Sequence, residues 1–190
     1  MSEDGPDPGG LVIANGVVST ARFVPSPNCD ARPPGEALSL VVIHAISLPP
    51  GEFGGEAVEL LFTNRLAADA HPYYRDIHAL RLSAHFFIDR SGRLTQFVPC
   101  HLRAWHAGVS QWRGRERCND FSIGIELEGC DDRPFAEAQY LALRPLLRAL
   151  LRAYPIAAVV GHSDIAPGRK TDPGPHFDWT RLRAELASGV

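Results

Sequence analysis

The run Ser39-Leu-Val-Val-Ile-His44 decides how the rest of this chain is read. Its four consecutive apolar side chains leave no polar face, which is the pattern of a strand covered on both sides, as in the sheets of α/β proteins. A histidine closes the run, and strand ends are where α/β folds place their ligands. Just downstream, Leu48-Pro-Pro-Gly-Glu-Phe-Gly-Gly55 carries two prolines and three glycines. That composition excludes helix and strand interiors and predicts a loop, followed by a helix from about Glu56 to Asn64.

A second apolar strand, Ala157 to Gly161, also ends in a histidine, His162. Between the two lie Ser83 to Asp89 and Arg93 to Val98, predicted strands joined around Ser91-Gly92 as an antiparallel hairpin. Phe121 to Glu128 alternates: Phe121, Ile123, Ile125 and Leu127 share one face, Ser122, Gly124, Glu126 and Glu128 the other. This predicts a strand with one polar face. From Ala136 to Tyr154, Tyr140, Leu143, Leu147, Leu150, Leu151 and Tyr154 recur at helical spacing, and Pro145 inside that stretch is expected to kink or divide the helix. A closing helix is predicted over Asp178 to Leu186, with Asp178 as a cap. Strands interleaved with helices imply an α/β protein with a mixed central β-sheet flanked by α-helices.

With 190 residues, the chain has the size of one domain, expected over residues 11–190. Residues 1–10 are acidic and rich in Gly and Pro and predict a disordered lead that lacks the basic start and apolar stretch of a secretory signal. A cytoplasmic protein is therefore expected. A net charge of −3 without a basic tract excludes nucleic acid and anionic membrane as expected partners. Apolar runs are too short to span a bilayer. Cys29, Cys100, Cys118 and Cys130 form no C-x-x-C pair, which argues against a thiolate zinc knuckle and leaves four reduced thiols as the expectation.

The chemistry concentrates at the two strand ends. Ten residues beyond His162 stands Asp172, at the end of a segment dense in turn formers that can fold the chain back on itself. Two histidines and one carboxylate leave a fourth position open on zinc, the pattern of a catalytic site. Asp164 competes with Asp172 for this role, its other use being to order the loop or orient a ligand. Glu126 and Glu128 share a strand face, so either can be a general base, or both can belong to a solvated sheet face. Lys170 reads equally as a functional cation or a solvated loop lysine. His71, His78, His101 and His176 read as packed or hydrogen-bonded histidines, and His85 as a hydrogen-bonded structural residue.

Several stretches together resemble one family. They are Ser26-Pro-Asn-Cys-Asp-Ala-Arg-Pro33, Val42-Ile-His-Ala-Ile-Ser-Leu-Pro-Pro-Gly-Glu-Phe-Gly-Gly55, Ser83-Ala-His-Phe-Phe-Ile88, Arg103-Ala-Trp-His-Ala-Gly-Val109, Asn119-Asp-Phe-Ser-Ile-Gly-Ile-Glu-Leu-Glu-Gly129 and Gly161-His-Ser-Asp-Ile-Ala-Pro-Gly-Arg-Lys-Thr-Asp-Pro-Gly174. Spread along nearly the whole chain, they look like the AmpD-type anhydro-N-acetylmuramyl-L-alanine amidases, zinc amidases of the peptidoglycan-recognition-protein fold. The resemblance implies one Zn2+ per chain on His44, His162 and Asp172, with Glu126 as proton acceptor and Lys170 as the cation for transition-state charge. It also implies a substrate groove at Arg81, Trp105 and His106, an anhydro-muropeptide substrate and a monomer. The alternatives it leaves are a non-catalytic muropeptide-binding module and a lytic amidase acting on polymeric cell wall. Two positions depart from relatives: Ala45 follows the first ligand where the type carries Asn, and Ala84 stands where phage and recognition-protein relatives commonly carry a catalytic tyrosine.

Overall fold

A computed structural model describes residues 10–187; the expected lead at 1–10 lies, apart from Gly10, outside the described residues. In chain order the strands are β1 (Ile13–Ala14), β2 (Val17–Val18), β3 (Arg22–Phe23), β4 (Cys29–Ala31) and β5 (Leu40–Ile46), followed by helices α1 (Ala57–Phe62) and α2 (Tyr74–Ile77). Then come β6 (Phe86–Ile88), β7 (Leu94–Gln96), β8 (Leu102–Ala104), β9 (Gln111–Trp112), β10 (Arg115–Glu116) and β11 (Ser122–Glu128). The chain closes with α3 (Glu137–Ala153), β12 (Ala158–Gly161), α4 (His162–Ile165) and α5 (Trp179–Ala187).

Six strands form one mixed sheet in the order β12-β5-β11-β6-β7-β3. β12, β5, β11 and β6 run parallel to their neighbours, whereas β6 and β7 pair antiparallel as the predicted hairpin. The apolar run that ends in His44 is thus an interior strand, flanked by β12 and β11, which is why it carries no polar face.

Alternation along the strands divides the sheet into two faces. One carries Val41, Ile43, Ile123, Ile125, Leu127 and Phe86 against Leu143, Leu146, Leu147 and Leu150 of α3 and Leu182 of α5. On the other, Val58, Leu61 and Phe62 of α1 pack with Leu48, Phe97 and Val98, while Val42 and Val160 pack with Ala107, Phe121 and Ile165. Between these two apolar patches runs a strip of histidines and carboxylates.

One expectation needs correction and another is narrowed. β11 has no solvated polar face, since all seven of its residues are buried. It lies between β5 and β6, and loops cover its polar side, so Glu126 and Glu128 are both interior groups. Of the two effects expected of Pro145, division of the helix does not occur, because α3 is a single element from Glu137 to Ala153. Proline deprives the carbonyl of Leu141 of its donor, at a position on the exposed side of the helix. Gln139 anchors the helix start: its side chain accepts from the Ala136 N–H and donates to the carbonyls of Ile88 and Glu128 at the ends of β6 and β11. Asp178 caps α5 as expected, accepting from the Arg181 N–H at 2.8 Å.

Candidate metal centre

Strand register brings the first functional pair together. In the parallel pairing of β5 with β11, His44 stands directly opposite Glu126, and neighbours in register share a face. β12 flanks β5 on its other side with Gly161 opposite Ile43, so the next residue, His162, arrives level with His44 as the first residue of α4. The following segment then folds back: the amides of Arg169 and Lys170 donate to the Ala166 carbonyl, and the Ser163 amide donates to the carbonyl of Asp172 at 2.9 Å. Asp172 is delivered beside both histidines.

His44 Nδ1 lies 3.0 Å from His162 Nδ1 and 3.2 Å from Asp172 Oδ2, and His162 Nδ1 lies 3.1 Å from the same oxygen. His44 and His162 are buried and Asp172 is partly so. Zinc held tetrahedrally at about 2.0–2.1 Å requires donors separated by about 3.3 Å, close to these distances. Three lone-pair atoms crowded this tightly match what one shared cation would satisfy. His162 Nε2 faces the carbonyl of Ala107 at 3.1 Å and His44 Nε2 faces His106 Nδ1 at 2.9 Å, so each imidazole turns its Nδ1 to the centre and its other nitrogen to a partner. Asp164 serves elsewhere: its carboxylate accepts from the Gly161 N–H at 2.8 Å at the start of α4.

Burial shapes the protonation of the site. It lowers His44 to about 4, against the hydrogen bond with Asp172, so the imidazole is neutral at neutral pH, as a metal ligand must be. Burial would raise Asp172, but its hydrogen bonds with His162 and His44 prevail and hold it below the usual carboxylate range. Glu126 is pushed well above that range, by burial first and by the Asp172 charge second, with Lys170 opposing. Its Oε2 is buried without a hydrogen-bond partner. Glu128 differs: it accepts from the amides of Gly54 and Arg90 and so staples two loops to the end of β11.

A cleft of about 410 Å³ opens beside Asp172 and Lys170, with Ala45, Leu48, Tyr73 and Leu82 among its walls. A second, of about 530 Å³, lies between Gly108–Gln111 and Ile165–Arg169 and contains none of the three converging ligands. The first is therefore the better candidate for a reacting molecule. Trp105 is half-buried outside the apolar clusters and donates from Nε1 to Asp30 at 3.2 Å. Arg81 is exposed and turned back on its own loop, donating to the carbonyls of residues 78–80, so the structure does not bring it to the centre. His106 is drawn to His44. His85 takes a structural position, accepting from the Gly124 N–H at 3.0 Å and facing the Leu102 carbonyl with Nε2 at 3.1 Å. Cys29, Cys100, Cys118 and Cys130 are free thiols.

Sequence reading passed over Asn119, whose side-chain oxygen accepts from the amides of His106 and Ala107, and Arg169, which donates to the carbonyls of Ala107 and Val109. Both hold the loop behind the histidines. Neither lies at a position that hydrophobic periodicity marks.

The model of the N-acetylmuramoyl-L-alanine amidase family matches residues 34–175, a span that includes every residue of the centre. The chain belongs to that family. Among amidase relatives, the 1,6-anhydro-N-acetylmuramyl-L-alanine amidase AmpD of Escherichia coli is 55% identical over 175 residues, 91% of this chain and 96% of that protein. AmpD of Citrobacter freundii is 54% identical over 92% of this chain and 94% of its own length. The crystal structure of a selenomethionine AmpD derivative superposes with a TM-score of 0.90 at 54% identity, covering 93% of this chain and 99% of that one. The amidase AmiD of E. coli, solved with anhydro-N-acetylmuramic acid-L-Ala-D-γ-Glu-L-Lys, superposes at 0.57 with 31% identity, covering 93% of this chain and 65% of that one. The mixed sheet flanked by helices is thus the fold of these amidases.

Proposed function

We propose that the protein hydrolyses the amide bond between 1,6-anhydro-N-acetylmuramic acid and L-alanine in muropeptides, with one zinc ion held by His44, His162 and Asp172. The observation that carries this reading is the mutual approach of His44 Nδ1, His162 Nδ1 and Asp172 Oδ2 beside a buried, unpartnered carboxyl oxygen of Glu126. AmpD relatives that match at about half identity over nearly the full length support the anhydro-muropeptide as substrate.

An amide is a poor electrophile and water a poor nucleophile, so both must be improved at once. Zinc, when bound, supplies Lewis-acid charge that polarises a carbonyl and acidifies water to near neutral pH. The chain's own groups do the rest. Glu126 Oε2 accepts the proton of the attacking water, for which its burial and raised affinity for protons suit it. The same carboxyl then returns that proton to the nitrogen of the departing alanine. Lys170, at the rim beside Asp172, places positive charge near the developing oxyanion, where a lost donor typically costs ~10²-fold or more in rate. Trp105 and the apolar wall of the cleft hold the sugar and peptide.

The protein acts in this reading as a cytoplasmic monomer on fragments released from the wall, recycling them. No helix among the described residues is long and apolar enough to cross a membrane. Incubation with one defined anhydro-muropeptide, followed by mass analysis, tests the activity. Free stem peptide and anhydro-sugar in equal amounts are expected from the zinc-loaded protein; tight binding without cleavage would overturn the proposal, and cleavage of intact sacculi alone would overturn the substrate assignment.

A further inference from the structure

His44 makes two contacts through its ring nitrogens: Nδ1 faces His162 and Asp172, and Nε2 lies 2.9 Å from His106 Nδ1. His106 Nε2 in turn lies 3.2 Å from Ser122 Oγ. The rings of His44 and His106 meet edge to face, with centroids 5.0 Å apart. Gly124 on β11 makes this possible, because a Cβ there would sit 2.5 Å from Cγ of His106. The amides of His106 and Ala107 are fixed by the side chain of Asn119. A built pocket thus holds the His106 ring against the back of His44.

Resting on the metal-centre reading above, we infer that His106 is a positioning residue that holds His44 in the tautomer a metal requires. For His44 to offer a lone pair at Nδ1, its proton must sit on Nε2, and that N–H can only donate to His106 Nδ1. His106 then carries its own proton on Nε2 and donates to Ser122 Oγ. Run in reverse, from Ser122 through His106, the chain would place a proton on His44 Nδ1 and abolish the ligand. The second imidazole is held differently: His162 Nε2 faces the Ala107 carbonyl, which can only accept and which Arg169 braces at 2.7 Å. His162 is therefore fixed by backbone, whereas His44 depends on a side chain that can either donate or accept. This assigns His106 to the metal ligand, and removes it from the substrate groove.

Zinc affinity measured by competition with a chromophoric chelator is the first readout. His106→Ala is expected to weaken zinc binding 10- to 100-fold, the usual effect of losing an outer partner of a ligand. His106→Asn, whose Oδ1 can take the place of the imidazole Nδ1 as acceptor, is expected to recover most of it. At saturating zinc, His106→Ala should lower kcat and leave KM within about twofold, whereas a groove residue raises KM. Long-range 1H–15N spectra of the zinc-loaded wild-type protein should show the His44 proton on Nε2, and this readout stands even if a variant fails to fold. Equal zinc affinity in wild type, Ala and Asn variants, an Asn variant as weak as the Ala one, a raised KM with normal zinc affinity, or a proton on His44 Nδ1 would each overturn the inference. Failure of the wild-type protein to bind zinc at all would instead overturn the metal centre on which it rests.

Discussion

Glu126 combines two properties that rarely occur together in a group without a function: it is buried, and one of its oxygens lacks a partner. Leaving a buried acceptor unsatisfied costs ~1–3 kcal/mol, so Oε2, which has no protein partner, favours a water or a reacting group beside it. Glu126→Gln should accordingly keep zinc stoichiometry and the unfolding midpoint, while turnover falls at least ~10²-fold; metal analysis beside hydrolysis rates checks this, and full activity would remove Glu126 from catalysis. The buried imidazoles set an acid limit. His44 at about 4 and His85 at about 3 lie below the 6.5 of a free imidazole, burial being the main cause in both, and His106 is lowered for the same reason. Between those values the unfolded chain takes up protons that the folded one refuses, so stability falls as pH drops from 6.5 toward 4. Glu126 acts in the opposite sense, so the metal-free Glu126→Gln variant, which lacks that carboxyl, isolates the contribution of the imidazoles. For the metal-free protein, His44 alone contributes about 1.6 kcal/mol of loss between pH 6.5 and 5. Denaturant titrations of that metal-free variant at pH 7 and pH 5 should show a clear drop in the midpoint, and a constant midpoint would refute buried neutral imidazoles.

β11 is the element on which the site depends, because its polar side holds Ser122, Gly124, Glu126 and Glu128 in succession. Gly124 leaves the space that the His106 ring fills, so Gly124→Ala forces either the ring or the strand to move. Overpacking of this kind costs ~1–3 kcal/mol, and a lowered unfolding midpoint together with weaker zinc binding is expected; an unchanged midpoint would show that the ring is not confined. This element also shows how far sequence reading reaches. The alternation in Phe121 to Glu128 located the strand, but period two tells only that two faces differ, and says nothing of which loops later cover the polar one. The apolar run before His44 was legible because an interior parallel strand needs it, and the run before His162 because the edge strand β12 packs Val159 and Val160 against apolar clusters on opposite faces. Asp172 was legible as a carboxylate in a fold-back loop, yet its choice over Asp164 needed the resemblance, since spacing alone does not show which side chain caps α4. The two-residue strands, the three-residue β4 and β8 and the four-residue helices α2 and α4 went unseen, being too short to display a period, whereas the equally short β6 and β7 were legible through the turn at Ser91-Gly92 that joins them. Arg81 was placed in the groove by resemblance, whereas its guanidinium is bonded to its own loop's carbonyls.

At the scale of the molecule, the three ligands come from β5, from the start of α4 and from the loop beyond it, so a bound ion ties together parts of the chain as far as 128 residues apart in sequence. An ion that binds only the folded state stabilises it by about 2.7 kcal/mol when present at 100 times its dissociation constant. Unfolding midpoints should therefore rise with zinc and fall with a chelator, and zinc-independent stability would show that the ligands do not assemble. The most direct test of the centre itself is X-ray absorption at the zinc edge of the loaded protein. The expected spectrum shows about four nitrogen or oxygen neighbours at about 2.0–2.1 Å with the outer-shell signature of two imidazoles. Zinc bound through cysteine sulfur at about 2.3 Å, or no stoichiometric zinc, would contradict it.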